Sequence, residues 1–436
     1  MLGLSLKILT KKFKYFFFTF LVKEVQRMGA GNTAEKSKLK SSRGHDNGEL
    51  FDNRLIVRMR TLTPIWTGDI DQKSEHIQTL GIMGSLRWWT EAILRGIGKY
   101  ACDPTDDEIK CPKEDKNNKK YCYACLIFGS TGIRRTFRLN TNGGESIFSE
   151  GLLNIKPSER RRGWYLGSGV VGEINLEITP LDKDFDESLI LLPLIIASKW
   201  GGIGAKTQHG YGVVKIGNYS VVDFNRFVRA VEKIANQGRL SRLGIELRNE
   251  SNDGLPNIKD MFFAKIRFSS AKEDWWKMVD GISTNDKIDS WVKSGSVPVA
   301  PAIKNWLRYN RGGVILWSAN RNATIENWLF GTPRANASKI NISCAYLVDS
   351  NSWELRIWGW IPNSNLPTGF NRDLFLEKLK GALEGIRFPI PWNRLLGSQT
   401  RDHKLEVWRE FNSQRDTVKQ EKDISSYLQS LLKGEG

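Results

Sequence analysis

Long apolar runs and a recognisable export signal are both missing from this sequence of 436 residues. The apolar stretch near its start, from Tyr15 to Val22, is far shorter than the ~20 residues that a membrane-spanning helix needs. Lysines interrupt the region, and it lacks the small-residue cleavage site of a secretory signal. We therefore expect a cytoplasmic protein without a membrane partner.

Cysteine is also scarce, and its distribution argues against a disulfide framework. Four of the five cysteines crowd into one short region of the sequence. Cys122 and Cys125 have the spacing of a zinc half-site, and with Cys102 and Cys111 they would offer four thiolates to a structural Zn²⁺. The alternative is that Cys125 packs before Leu126 and that the other three are incidental thiols.

Acidic residues are outnumbered, because 65 lysines and arginines face 48 aspartates and glutamates, for a formal net charge of +17. Such an excess favours a polyanionic partner. Aromatic residues make up 11% of the chain and include 16 tryptophans, a composition that suits single-stranded nucleic acid. A basic protein with tryptophan-rich cores is the alternative.

The first 50 residues do not read as part of a folded domain. Residues 1–27 are interpreted as translated upstream sequence ahead of a start at Met28, or as a basic amphipathic surface helix. Residues 29–50 are polar and rich in glycine and serine, which predicts disorder.

The remaining sequence repeats one order of elements. Apolar periodicity predicts the same alternation of strand and helix twice: strand 54–66, helix 84–100, strand 173–180 and helix 188–200, then strand 260–270, helix 301–310, strand 353–362 and helix 375–386. Each series also contains a related turn, Ile127-Phe128-Gly129-Ser130 and Leu329-Phe330-Gly331-Thr332, followed by basic residues and a strand.

This duplication predicts an α+β protein of two tandem ferredoxin-like (RRM-like, βαββαβ) domains with insertions. The first domain is expected at residues 51–235, with a cysteine-rich insertion at about 101–125 and a glycine-rich loop at 200–212. The second, more degenerate domain is expected at residues 236–436, with a helical C-terminal tail.

The glycine-rich loop, WGGIGAKTQHGYG, does not match the nucleotide-binding loops that it superficially suggests. A P-loop would need glycines at Trp200 and Ala205, and the order here is helix, loop, strand instead of strand, loop, helix. The Rossmann pattern fails as well, because Thr207 stands where its third glycine should be. ATP binding at this loop is therefore not expected.

Five segments together resemble the RAMP superfamily of CRISPR proteins, and within it the first-named RAMP subunit of the Cmr (type III-B) effector complex. They are TLTPIWTGD, GSLRWWTEAILRGIG, ACDPTDDE with its CxxC, CLIFGSTGIRRTFRL and GGIGAKTQHGYGVVKI, which span roughly residues 54–216. The resemblance implies a subunit of an RNA-guided antiviral complex near the 3′ end of the guide (CRISPR) RNA. Its partners would be guide RNA, target RNA and other Cmr subunits, with target cleavage assigned to a different subunit.

Bare glycines allow a phosphodiester chain to approach peptide N–H groups, and the resemblance implies that the glycine-rich loop faces RNA. Basic side chains near the first helix and the Phe-Gly turn add charge for phosphates. The predicted RNA-binding residues are Arg87, Trp88, Arg134, Arg135, Arg138, Gly202, Gly204, Lys206, Gln208, His209, Gly210 and Gly212. The loop could instead be a tight helix-to-strand connection packed on the other domain, and Trp88 and the arginines could be core or solvated residues.

Histidine is too scarce to mark an active site. Of four histidines, His209 beside Lys206 and Tyr211 is the sole plausible group for general acid–base cleavage of RNA, and no nearby carboxylate marks it as poised. No catalytic residue is therefore assigned. A stand-alone, metal-independent RAMP endoribonuclease that uses His209, or an assembly adaptor whose loop docks on neighbouring subunits, remain the alternative functions.

Overall fold

The computed structural model describes residues 54–115, 118–158, 162–217, 219, 222–333 and 336–433. The predictions for residues 1–50 lie outside these ranges. None of the helices in the described ranges is both long and apolar enough to cross a membrane.

The described part of the first half contains nine strands and five α-helices. The strands are β1 (Leu55–Thr61), β2 (Lys113–Asp115), β3 (Asn118–Tyr121), β4 (Phe137–Ser146), β5 (Leu153–Ile155), β6 (Trp164–Leu166), β7 (Val170–Pro180), β8 (Val214–Ile216) and β9 (Ile245–Leu247). The helices are α1 (Thr79–Gly96), α2 (Tyr123–Phe128), α3 (Ser188–Trp200), α4 (Phe224–Ile234) and α5 (Gln237–Leu243).

The second half adds, within the ranges given above, six strands and seven α-helices. The strands are β10 (Met261–Ser270), β11 (Ser296–Val297), β12 (Ile340–Ile342), β13 (Ala345–Asp349), β14 (Ser352–Trp360) and β15 (Thr400–Glu410). The helices are α6 (Asp286–Lys293), α7 (Ala300–Tyr309), α8 (Arg311–Trp317), α9 (Ala323–Phe330), α10 (Arg372–Leu383), α11 (Trp392–Leu395) and α12 (Ile424–Lys433).

Each half is built on an antiparallel sheet with the same strand order. The first sheet runs β4-β7-β1-β8, and the second contains β13-β14-β10-β15. Numbered within each half, both orders are 2-3-1-4, with α1 and α3 as the crossover helices of the first half and α7 and α10 as those of the second. This is the mixed α+β, βαββαβ arrangement that the repeated periodicity predicts.

The sequence did not reveal β15, which closes the second sheet along β10. The segment TRDHKLEVWRE is polar through its first half, and its pairing with β10 shifts register between Lys265 and Ile266 and again between Arg267 and Ser269. Strict alternation, the sequence signal of a half-buried strand, is weak in such a segment.

The layers stack as sheet, helices, sheet, helices, so the core of the first half takes side chains from both sheets. The two strand neighbours Phe262 and Phe263 show this, because successive side chains of a strand point to opposite faces. Phe262 lies in the core of the second half, whereas Phe263 lies in the core of the first half against Trp89 and Trp200. The helix α3 is apolar on nearly all sides because it lies between the two sheets.

The last helix returns to the first half. Tyr427, Leu428 and Leu431 of α12 are buried in the first core, and the Trp200 indole N–H donates to the Leu431 carbonyl at 2.9 Å. The segment beyond the predicted domain boundary at residue 235 also returns there, since β9 pairs with β3 of the cysteine-rich insertion. The boundary itself stays a prediction.

Candidate RNA interface and candidate metal centre

The glycine-rich loop lies at the junction of the two halves, between α3 and β8. The Cys344 N–H donates to the Gly210 carbonyl at 3.0 Å, and the Thr207 hydroxyl donates to Asn341 Oδ1 at 2.9 Å. Both partners belong to the second half. On the other flank, the buried Arg356 donates to the Gly201 carbonyl at 3.2 Å. The loop therefore joins the two sheets as well as connecting a helix to a strand.

Packing accounts for the predicted RNA-facing glycines of this loop. A Cβ atom at Gly210 would lie 2.4 Å from Cys344 Sγ, and one at Gly212 would lie 2.2 Å from the carbonyl oxygen of Ile203. At Gly204 the backbone has φ +88° and a Cβ would lie 2.7 Å from the Trp66 carbonyl oxygen.

The fourth predicted glycine, Gly202, is buried, and a Cβ atom there would lie 3.3 Å from the Trp358 ring. Gly202, Gly210 and Gly212 are all buried, which leaves no open surface at these three positions. This agrees with the alternative of a tight connection packed against the other half. Contact between RNA and these glycines stays a prediction, because packing alone already requires glycine at these positions.

The four polar residues at the tip of the loop, Lys206 to His209, are in contrast partly exposed; we call them the polar tetrad. Lys206 adopts the left-handed conformation, with φ 55°, and a short 3₁₀ turn follows from Thr207 to His209. The Lys206 ammonium lies 3.7 Å from the centroid of the Trp66 ring, a close cation–π contact. Burial lowers the pKa of Lys206 to about 8. Lys206 and Gln208 therefore remain candidates for contact with RNA.

His209 lies in an environment that disfavours its charged form. Its ring stands edge-on to Trp164 with a centroid distance of 5.2 Å. Burial, then the charges of Lys304 and Lys206, lower the pKa of His209 to about 3. The imidazole is therefore neutral at pH 7, is a weak base, and cannot act as a general acid there.

Arg87, predicted to meet phosphates, is engaged with the protein itself. Its guanidinium donates to Glu91 at 2.8 Å, to the Gly129 carbonyl at 3.2 Å and to Cys125 Sγ at 3.1 Å. Trp88, predicted at the same helix start, is half-buried, packs on the first core and meets Trp89 edge-on at 5.2 Å. These contacts give both side chains a structural role. Their contact with RNA stays a prediction.

The arginines after the Phe-Gly turn lie nearer to solvent. Arg134 and Arg138 are exposed and Arg135 is half-buried. The sequence predicts that Arg134, Thr136 and Arg138 share one strand face, but β4 begins at Phe137 and Thr136 is buried with its hydroxyl on the Ile127 carbonyl. The arginines thus flank the start of β4 instead of forming one face of it.

The open face of the first sheet carries cations that were not predicted from the sequence. Arg58 and Arg60 of β1 are exposed and alternate with the buried Val57, Met59 and Thr61, and Lys215 of β8 is paired opposite Arg60. Period-two alternation in RLIVRMR was the available signal, because it places these arginines on the face away from the core. Arg60 lies 4.0 Å from a carboxylate oxygen of Glu173, a weak exposed ion pair.

Four cysteines converge in the insertion of the first half. The Sγ atoms of Cys102, Cys111, Cys122 and Cys125 all lie within 4.8 Å of one another, and all four residues are buried. Cys102 Sγ lies 3.6 Å from Cys122 Sγ and 3.7 Å from Cys125 Sγ. A tetrahedral Zn²⁺ with Zn–S bonds of about 2.3 Å separates its sulfurs by about 3.8 Å. The donor set therefore fits a four-thiolate metal site.

The surroundings of the cluster also suit an anionic centre. The backbone N–H groups of Cys122 and Cys102 donate to Cys111 Sγ at 3.3 Å and to Cys122 Sγ at 3.4 Å. Arg87 donates to Cys125, and Arg248 reaches Cys111 Sγ at 3.9 Å. Donors of this kind stabilise metal-bound thiolates. Cys344 lies apart from them as a buried single thiol of the second half.

Solved structures of low sequence identity resemble the chain. The apo crystal structure of Cmr1 from Pyrococcus furiosus matches with a TM-score of 0.34 and 12% identity, over 74% of this chain and 96% of that chain. A cryo-EM structure of the type III-B Cmr-beta complex bound to cognate target RNA matches with a TM-score of 0.33 and 12% identity, over 74% and 98% of the two chains. No curated protein matches the chain in sequence.

The family comparison concerns the first half. The model of the RAMP superfamily matches residues 58–215, from the middle of β1 through the glycine-rich loop and into β8. The matched region therefore holds the cysteine cluster, the Phe-Gly turn and the polar tetrad described above. This part of the chain is similar to the RAMP superfamily.

Proposed function

We propose that this protein is a non-catalytic RNA-binding subunit of a type III-B CRISPR-Cas (Cmr) effector complex. In that role it contacts guide RNA near its 3′ end, helps to engage target RNA, and binds other Cmr subunits. The observation that carries the proposal is the RAMP-superfamily match, which includes the glycine-rich loop with its partly exposed Lys206 and Gln208. The net charge of +17 supports a polyanionic partner.

The exposed cations of the first half supply a path for a ribose-phosphate strand. Arg134 and Arg138 lie at the start of β4, and Arg58 and Arg60 lie on the open face of the same sheet. Guanidinium groups bind phosphate oxygens through paired N–H donors and keep their charge at any physiological pH. Such contacts position RNA without selecting its sequence.

A binding role suits His209 better than catalysis does. The histidine that an endoribonuclease would use has a pKa of about 3, and burial together with two neighbouring lysines is the cause. No carboxylate among the described residues is paired with it. Acid–base cleavage at neutral pH would need a group whose pKa lies near 7.

We further propose that the four-cysteine cluster holds a structural Zn²⁺. Cys102, Cys111, Cys122 and Cys125 would be its ligands, and the ion would fix an insertion whose strands β2 and β3 are short and polar. A closed set of four thiolates leaves no position for water or substrate. The ion's role is therefore to hold the fold, and it supplies no reaction step.

Filter binding of single-stranded RNA at several salt concentrations tests the RNA-binding role. We expect sequence-tolerant affinity that falls steeply with salt, and a double variant Lys206→Ala/Arg134→Ala should weaken it and reduce the salt slope by roughly 1–2. Arg229→Ala, which removes one positive charge at an exposed arginine of α4, is the control for each single replacement and should change affinity little. Salt-insensitive binding would refute the proposal.

The alternative function, an endoribonuclease that uses His209, requires a separate experiment. Guide-repeat RNA incubated with the protein in EDTA should stay intact. Cleavage that His209→Ala abolishes would establish the endoribonuclease instead.

A further inference from the structure

The junction of the two halves contains a second lysine, which is buried and comes from α7. Lys304 is 2% exposed, and its ammonium donates to Ser338 Oγ at 3.0 Å. Ser338 in turn donates to the Ile340 carbonyl at 2.7 Å. An ammonium group carries three N–H donors, so one of the three has an acceptor within the described part of the chain.

Lys304 differs from the other buried cations of the molecule. Buried arginines pair with carboxylates in both halves: Arg95 with Glu91, Arg356 with Glu354 and Arg409 with Asp416. Within residues 54–433, apart from the short undescribed gaps, neither Lys304 nor Lys206 forms an ion pair with an acid. Isolated buried charge is costly, and proteins normally compensate for it with an opposite charge.

Both lysines lie near the 3₁₀ turn. Lys206 directly precedes the turn, and Lys304 approaches the Trp164 ring, which stands edge-on to His209 of the turn at 5.2 Å. The charges of both lysines act on His209. The strand β12 and the helix α7 lie against this turn. Each lysine lies near an indole ring. The Lys206 ammonium is 3.7 Å from the centroid of the Trp66 ring, and the Lys304 ammonium is 6.0 Å from the centroid of the Trp164 ring.

We propose that Lys206 and Lys304 together bind one phosphate group of an RNA strand in the junction between the two halves. The inference rests on the proposed RNA-binding function and extends it to the second half, where Lys304 and Ser338 were not predicted from sequence. A phosphodiester anion would supply the missing counter-charge and accept the remaining ammonium donors. It would enter at the partly exposed tetrad of residues 206–209.

The pKa shifts of these groups agree with an anion-binding site. Burial lowers the pKa of Lys304 to about 7, with a further contribution from the Arg308 charge. Lys206 and His209 are shifted in the same direction. Binding of an anion favours the protonated lysines and reverses these shifts.

Thermal unfolding in phosphate and in chloride at equal ionic strength tests the site without RNA. The wild-type protein should gain about 2–4 °C in Tm more from phosphate than Lys304→Met does. In chloride, Lys304→Met should unfold at the same or a higher temperature, because it removes a buried charge that lacks an acid. Lys404→Met, at an exposed lysine of β15, should behave as the wild type in both buffers. An equal gain from phosphate in all three proteins would overturn the proposal.

Binding of a single-stranded oligoribonucleotide then identifies the occupant. Lys304→Met should raise the Kd roughly tenfold, as expected when a charge-assisted hydrogen bond is lost. Unchanged RNA affinity in Lys304→Met would overturn the site while leaving the RNA-binding function intact. A wild-type protein that gains stability from phosphate but binds no RNA would overturn the function. Displacement by polyglutamate and not by RNA would assign the site to an acidic protein segment and overturn the RNA proposal.

Discussion

In each half of the molecule an arginine from a crossover helix secures the carbonyl of a Phe-Gly turn. Arg87 of α1 donates to the Gly129 carbonyl at 3.2 Å, and Arg308 of α7 donates to the Gly331 carbonyl at 3.0 Å. The two glycines have nearly the same backbone conformation, φ 82° and ψ 162° against φ 77° and ψ 166°. The duplication is thus visible in a partly buried hydrogen bond as well as in the order of elements.

The two halves differ in the second hydrogen-bond acceptor of this arginine. The second guanidinium nitrogen of Arg87 donates to Cys125 Sγ at 3.1 Å, and that of Arg308 donates to Asn327 Oδ1 at 3.0 Å. Cys125 and Asn327 are equivalent, four residues before their glycines. At this position the first half has a cysteine, which accepts the hydrogen bond from the arginine and also belongs to the cysteine cluster. The second half has an asparagine, which only accepts the hydrogen bond. A metal ion bound there would reuse a hydrogen-bonding arrangement that both halves share.

Loss of the cluster should produce the largest difference between the halves. Cys122→Ala should reduce zinc from about one ion per chain to less than half and lower the free energy of unfolding by about 4 kcal/mol or more. Cys344→Ala, at the buried single cysteine of the second half, should leave the zinc content unchanged. Elemental analysis of protein purified without chelator is the measurement. Less than half a zinc per chain in the wild type would remove the zinc proposal.

Replacement of the two turn arginines tests whether they are equivalent. Arg87→Met and Arg308→Met should each cost about 3 kcal/mol, because each leaves a buried glutamate, Glu91 or Glu326, short of one partner. The loss of unfolding free energy caused by Arg87→Met should become smaller after chelation, because chelation alters the contact between Arg87 and the Cys125 thiolate. The loss caused by Arg308→Met should not change. Denaturant unfolding with and without chelator measures both. Equal responses to chelation would show that Arg87 is not coupled to the cluster.

The smallest expected effect is the pH dependence of RNA affinity at the junction, where each half contributes one lysine. Lys304 has a pKa of about 7 and Lys206 a pKa of about 8. Both are lowered, so each lysine is charged below its pKa and loses its proton as pH rises through it. Affinity should therefore fall a few-fold between about pH 6.5 and 8.5. The other titratable or charged groups near them, His209 and Arg308, do not change charge across this range, since the pKa of His209 is about 3 and a guanidinium stays protonated.

Arginine substitutions separate the contributions of the two halves. Lys304→Arg should remove the lower-pH part of the decline and Lys206→Arg the upper part, because a guanidinium stays charged throughout. Fluorescence anisotropy with labelled RNA across the pH series records this. A flat profile in the wild type would show that neither lysine carries the binding charge.

Periodicity in the sequence predicted most of the elements that build each sheet, because one buried face leaves a regular apolar pattern. The helix predicted at 84–100 is α1, although α1 begins five residues earlier, at Thr79. The clustering of cysteines was also accessible, since thiols near a CxxC pair can be gathered by one short insertion. These signals are local, and local patterns survive in a single sequence.

The remaining features depend on which elements meet. Nothing in GSLRWWTEAILRGIG shows that Arg87 faces Cys125, because helical spacing fixes a face but not its neighbour. The same holds for Lys304, a basic residue in a helix that the fold buries against the glycine-rich loop. The packing of Gly210 on Cys344 and of Gly202 on Trp358 was likewise not visible in the sequence, and contact between these glycines and RNA stays a prediction.

The return of α12 to the first core bears on the order in which the molecule can be made. Phe263, Trp358 and Val407 from the second sheet and Leu431 from the final helix all fill the apolar interior that begins with Val57. A ribosome releasing this chain from its start cannot finish that interior until nearly every residue has emerged. Folding of the first half therefore waits for contacts of very high sequence separation, which are slow to form.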